Sequence, residues 1–205
     1  MSVFPITLSR LTIRKMTIRL GIDFGTTRTV VAAQENGNYP VCTFSREGEV
    51  KEYIPTLVAV QDGILHFGWD AVDRLHQPGT TILRSMKRMA GQIQPEDLLE
   101  LGPDFSITLL ELVTLFLTHV RQMILKQGNI TLKKKEALEV MVASPANANS
   151  NQRYITLEAF RRAGFTVLGA MNEPSAAAVE FLHRYLRDLG PKSPKRYVAV
   201  YDLGG

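Results

Sequence analysis

Seven residues, GIDFGTT from Gly21 to Thr27, place a carboxylate, two glycines and two hydroxyls at the end of an apolar run. An ionised Asp in a buried strand is costly unless a cation or hydrogen-bond donors compensate it, and a glycine turn lets an anion approach backbone amides closely. Asp23, Gly25, Thr26 and Thr27 therefore form a candidate magnesium and phosphate site. The competing local reading is that Asp23 caps the turn and the threonines satisfy nearby amides. The final residues, VYDLGG, repeat the pattern with Asp202, Gly204 and Gly205. Two such loops can converge on one nucleotide, each carboxylate holding Mg²⁺ through water while the amides face phosphates.

Four other residues have plain local readings. Lys87 lies in RSMKRM, where the local reading is a solvated basic helix face. Glu173 stands just before Pro174, a helix-start position where an acid meets the dipole and free amides, a role compatible with catalysis. Pro145 reads as a strand terminator and Arg153 as a surface helix residue. Cys42 is the only cysteine, and His66, His76, His119 and His183 show no ligand spacing, so an internal disulfide or a cysteine-based metal cluster is excluded.

The 205 residues, 45% apolar and 21% charged, suit one globular domain with at most a small second unit. The net charge of +4 is that of Arg10, Arg14, Lys15 and Arg19, all ahead of the first acid, Asp23, and the remainder is neutral. Such a balance gives no nucleic-acid surface, and Lys133 to Lys135 read as a solvated turn. No apolar run reaches membrane-spanning length, and a reducing cytoplasm is the expected location. Residues 1–16 read as an extension or misassigned start ahead of Met16.

The elements that must carry these residues follow from periodicity. Met16 to Phe24 and Thr29 to Gln34 read as a hairpin, and Asn36-Gly37 turns into a third strand, Tyr39 to Phe44. Arg46 to Tyr53 reads as a polar connection, and Leu57 to Val60 pairs with Leu65 to Phe67 around Asp62-Gly63. Trp69 to Leu75 and Thr81 to Met89 read as short helices, and Ile107 to Lys126 as a long amphipathic one started by Ser106. Then come strand Leu138 to Ala143, helix Asn151 to Arg162, strand Thr166 to Gly169, helix Pro174 to Leu186 and strand Arg196 to Tyr201. The pattern predicts an α/β fold, a mixed sheet covered by crossover helices.

GIDFGTT, RSMKRMAG around Lys87, SPANANSNQR leading into FRRAG, MNEPSAAA and VAVYDLGG occur in an order and spacing that resemble the 70-kilodalton heat-shock chaperones, over about residues 17–205. The resemblance implies the first lobe of an actin-like (ribonuclease H-like) ATPase domain, a five-stranded mixed sheet with helices on both faces and a smaller peripheral subdomain around residues 38–110. It implies ATP or ADP with Mg²⁺, and K⁺ as a possible companion ion. Asp23 and Asp202 match the aspartates that organise hydrated Mg²⁺. Thr26 and Thr27 match phosphate-loop threonines, with Gly25, Gly204 and Gly205 shaping the two loops. Lys87 matches the lysine that reaches the terminal phosphate and attacking water, and Glu173 the acid near that water. Pro145 and Arg153 match residues that communicate nucleotide state to the substrate-binding half. The implied partners are unfolded peptide clients and a nucleotide exchange factor.

Departures from the pattern qualify this. Gly169 stands where many members carry an arginine used by J-domain co-chaperones, which argues against ordinary docking of that partner. Arg28 replaces a small polar or aromatic residue, and Ala146, Asn147 and Ala148 replace a bulkier sequence. The sequence reaches Gly205 inside the second phosphate loop, so the second lobe, linker and peptide-binding domain are expected to be absent and this span alone to bind nucleotide weakly and hydrolyse it hardly at all. An actin-like bacterial cytoskeletal ATPase and a nucleotide-independent interaction module are the alternatives, with sugar kinases further off for want of a hydroxyl-substrate loop.

Overall fold

The computed structural model describes residues 17–102, 105–130, 137–185, 192–194 and 197–200. The chain opens with β1 (Thr17–Phe24) and β2 (Arg28–Ala33), then β3 (Phe44–Arg46), β4 (Glu49–Lys51), β5 (Ile54–Pro55), β6 (Leu57–Gln61) and β7 (Ile64–Phe67). A short α1 (Trp69–Val72), β8 (Thr81–Arg84), a short α2 (Met86–Met89), β9 (Leu98–Gly102) and β10 (Phe105–Thr108) lead to the long α3 (Leu109–Gln127). The chain continues through β11 (Ala137–Ser144), α4 (Ser150–Arg162), β12 (Thr166–Asn172) and α5 (Glu173–Tyr185).

One five-stranded sheet, ordered β12-β11-β1-β2-β5, organises the molecule. β1, β11 and β12 run parallel, while β2 is antiparallel to both β1 and β5, so the sheet is mixed. Strand alternation sends Leu20, Ile22 and Phe24 to one face, where they are buried, and Arg19, Gly21 and Asp23 to the other. The buried face is packed by α3 and α4, with Phe24 and Phe116 ring centroids 5.7 Å apart and Ile155, Ala159 and Phe160 of α4 in the same core. α5 lies on the opposite face and buries none of its residues; Val179 and Glu180 border a shallow trough with Gly21, Ala32 and Met141. Helices thus cover both faces, the arrangement of an actin-like ATPase lobe.

Smaller sheets, β7-β6-β8, β10-β9 and β3-β4, lie between β2 and α3 in the chain. Several elements there depart from the sequence-based expectation. Tyr39 to Phe44 is no continuous strand: Val41 makes an isolated bridge with Ala32 and Phe44 begins β3, because Pro40 supplies a carbonyl to Ala33 but no N–H to continue a ladder. Arg46 to Tyr53 is not a plain connection: Glu47 and Gly48 both have positive φ, the two-residue turn that joins β3 to β4 as a hairpin. Thr81 to Met89 is a strand followed by one helical turn, since Thr81 to Arg84 pair with β6 and Ser85 breaks the chain direction at φ 62°.

The long helix begins at Leu109, and Thr108 rather than Ser106 is its cap. The Thr108 hydroxyl accepts from the Glu111 amide at 3.2 Å and donates to the Glu111 carboxylate at 3.1 Å. β9, which pairs with β10, has no counterpart among the expected strands. Residues 197–200 of the expected last strand carry no strand structure, and Tyr197 is 92% exposed; a strand persists only through a partner ladder, and none of the described residues supplies one. Among the described residues no helix is long and apolar enough to cross a membrane.

Candidate functional site

The parallel strands β1, β11 and β12 end side by side, with Asp23 registered opposite Ala143 and Ser144 opposite Asn172. Open α/β sheets bind ligands outside the carboxyl ends of such strands. Asp23 occupies that edge of β1 on the face away from the α3–α4 core, with 53% of its side chain exposed.

The turn after Asp23 is tight. The Gly25 amide donates to the Arg28 carbonyl at 3.0 Å, and a Cβ at Gly25 would lie 2.5 Å from that oxygen, so only glycine fits. Beyond it, the Thr27 carbonyl accepts from the Thr56 amide at 2.9 Å, tying the loop to the strand pair that follows. Thr26 is half-buried and Thr27 exposed.

Lys87 is not on a solvated helix face. α2 is a single turn that buries Met86 and Lys87, and the Lys87 side chain is only 6% exposed. Its Nζ forms an ion pair with Glu173 at the start of α5 and lies 4.0 Å from Asp23 Oδ1. A buried ammonium requires such compensation. Three residues on three elements therefore meet at one strand edge, and Glu173 faces a specific cation as well as occupying a helix start.

The backbone that carries Lys87 is held from α4. Asn149 caps that helix by accepting from the Gln152 amide at 2.8 Å, and its side-chain amide donates to the Gly91 carbonyl at 2.9 Å. Gln152 Nε2 donates to the Lys87 carbonyl at 3.0 Å, and Asn151 Nδ2 donates to the carbonyls of Ala90 and Ile93. Sequence reasoning passed over Asn149, Asn151 and Gln152 as functional; their signal was the polar run NANSNQ ahead of a helix, rich in residues that bond backbone groups.

Pro145 and Arg153 flank the same corner. The Pro145 carbonyl accepts from the Ala148 amide at 3.1 Å, and Arg153 Nε donates to the Ala148 carbonyl at 3.1 Å, so Ala148 links the end of β11 to the first turn of α4. Asp202, Gly204 and Gly205 lie outside the described residues. Gly169, on the edge strand β12, has room for a side chain, which would meet Met141 at an ordinary 3.6 Å.

Among the described residues no group of three or more His, Cys, Asp or Glu could cage a metal. Mg²⁺ needs no such cage, since it keeps several waters and takes one or two carboxylates plus phosphate oxygens. Asp23, exposed and acceptor-bearing beside a glycine turn, fits that demand. Cys42 is no nucleophile: burial, with Glu35 nearby, pushes its thiol up to about 12.

The profile of the Hsp70 protein family matches residues 19–205. The chain is 32% identical to the chaperone protein HscA of Serratia proteamaculans, over 90% of its own length and 30% of that protein's. It is also 32% identical to the chaperone protein DnaK of Mycoplasmopsis pulmonis, over 92% of its own length and 28% of that protein's. It therefore spans a little under a third of these curated relatives. The strand-edge aspartate, the buried lysine and the acid at the start of α5 all fall inside the matched span. The chain belongs to the Hsp70 protein family.

Proposed function

We propose that this chain is the phosphate-holding lobe of an ATP-hydrolysing chaperone motor, residues 17–205 forming one lobe with a smaller unit around residues 38–110. The carrying observation is the buried Lys87 amine set between Glu173 and Asp23 at the carboxyl edge of the parallel strands. Lys87 brings fixed positive charge to where the terminal phosphate oxygens gather charge, and its three N–H groups let it keep Glu173 while donating to phosphate. Asp23, with Asp202, would hold hydrated Mg²⁺, and Gly25, Thr26, Thr27, Gly204 and Gly205 would border the phosphates. Glu173 orients the attacking water or accepts its proton. Bound Mg²⁺ supplies neutralisation of phosphate charge.

Pro145 and Arg153, linked through Ala148, pass the state of this edge to the client-binding part of the protein. ATP and ADP are the ligands, K⁺ a possible companion ion, and unfolded peptides and a nucleotide exchange factor the partners, in a cytoplasmic setting. Gly169 argues against ordinary J-domain docking.

Calorimetric titration of Mg·ADP and Mg·ATP tests the proposal, with Asp23→Ala alongside and a chain extended to the relatives' length. Weak heat from the 205-residue chain, and tight Asp23-dependent binding with turnover in the extended one, are expected. Binding by the extended chain that ignores Asp23→Ala would overturn the assignment.

A further inference from the structure

Two arginines border the phosphate loop. Arg28 begins β2 in register with Pro55, and Arg84 ends β8 in register with Leu57. Pro55 and Leu57 are two residues apart on one continuous stretch, so the two pairings bring both arginines to the same stretch. Both line one groove of about 340 Å³, together with Thr26, Thr27, Ser85 and Tyr53.

The groove has an unbalanced charge. It is lined by two guanidinium groups and several hydroxyls, with no carboxylate among its lining residues. Among the described residues neither Arg28 nor Arg84 makes a salt bridge, whereas Arg46, Arg162 and Arg184 each hold an acid. Arg28 Cζ sits 4.4 Å from the centroid of the Tyr53 ring, a contact that does not consume its hydrogen-bond donors. Ser85 stands at φ 62°, and its side chain makes no cap hydrogen bond. Planar guanidinium forks beside hydroxyls are a donor set that recognises tetrahedral oxyanions.

We infer that the Arg28–Arg84 groove is a binding station for a phosphate-class oxyanion, separate from the Lys87 site and joined to it through Thr26 and Thr27. It needs no nucleotide, and so goes beyond the proposed ATPase role. The oxyanion is free phosphate, bound apart from the phosphate chain of a nucleotide.

Titration of inorganic phosphate into the 205-residue chain, at constant ionic strength and without nucleotide, reads the station directly. Saturable binding is expected, weakened roughly tenfold by Arg28→Ala or Arg84→Ala, equivalent to about 1.4 kcal/mol each. Arg28→Lys and Arg84→Lys should retain part of it, and sulfate should compete. Both arginines are exposed, so circular dichroism should show the variants folded. Repeating the titration with ADP present tests separateness: unchanged phosphate binding supports a station of its own, and competition by ADP would overturn it by making the groove part of the nucleotide site. Absence of saturable binding at millimolar phosphate, or equal binding by wild type and the double alanine variant, would overturn the inference.

Discussion

Lys87 and Glu173 stand 86 residues apart in sequence and form a direct ion pair, with 6% and 22% of their side chains exposed. The pair joins a single helical turn on the periphery to the first residue of α5, and it brings the lysine to Asp23. Neither local segment requires this; the pairing exists because β8 delivers α2 to the carboxyl edge of the main sheet.

Removing one member should therefore cost more than neutralising both. Glu173→Ala leaves a buried ammonium with only Asp23 nearby and should destabilise the chain by about 2–3 kcal/mol, less than the roughly 3–5 kcal/mol of a fully buried pair because Glu173 is partly solvated. The Lys87→Met/Glu173→Gln double variant should recover much of that. Urea denaturation reads both, and a Glu173→Ala chain as stable as wild type would contradict the compensation argument.

Gly25→Ala should distort the first loop. The added methyl meets the Arg28 carbonyl, a backbone atom that cannot swing aside, so a loss of about 1–3 kcal/mol is expected, with nucleotide binding falling further than in Thr26→Ala. Thermal denaturation and calorimetry on the two variants give the comparison.

Asn149 has two duties, capping α4 and holding the Gly91 carbonyl. Asn149→Ala should cost about 1–2 kcal/mol, whereas Asn149→Ser, which can still cap, should cost less. Amide exchange across Lys87 to Ile93 should rise in the alanine variant, and unchanged protection there would show that the clamp does not act on α2.

His119 provides a pH signature. Burial lowers its pKa below 6.5, with Asp70 opposing weakly, so between the two values the unfolded chain binds a proton that the native chain refuses. Its contribution is fully present above 6.5 and is lost as pH falls through that window. His119→Gln should flatten the acid limb of stability against pH, and His66, shifted in the same direction, should leave a residual slope.

The Cys42 thiol, buried and raised to about 12, should resist alkylation at pH 8 in the native chain and react promptly once unfolded. Mass-shift kinetics with iodoacetamide distinguish the two, and rapid native labelling would place Cys42 outside the core.

The strands and helices of the main sheet were legible because each carries a complete local pattern. β1 alternates into a glycine turn, α4 follows a polar capping run, and β11 is an apolar stretch between breakers. The region between β2 and α3 was harder. Thr81 to Arg84 are a strand only because β6 offers an edge, and Glu47-Gly48 turns a polar stretch into a hairpin.

The sequence by itself determined which chemical groups the strand-edge loop holds: Asp23 at the end of an apolar run, and Gly25 and two threonines in the turn that follows. It also carried the family likeness. Only the tertiary structure decided that Lys87 is buried rather than solvated, that Glu173 is its counter-ion, and that Arg28 and Arg84 share one groove. Periodicity reports the environment of a residue within its own helix or strand. Ion pairs and grooves depend on which elements the sheet register brings together, and that register is set by long-range strand pairing.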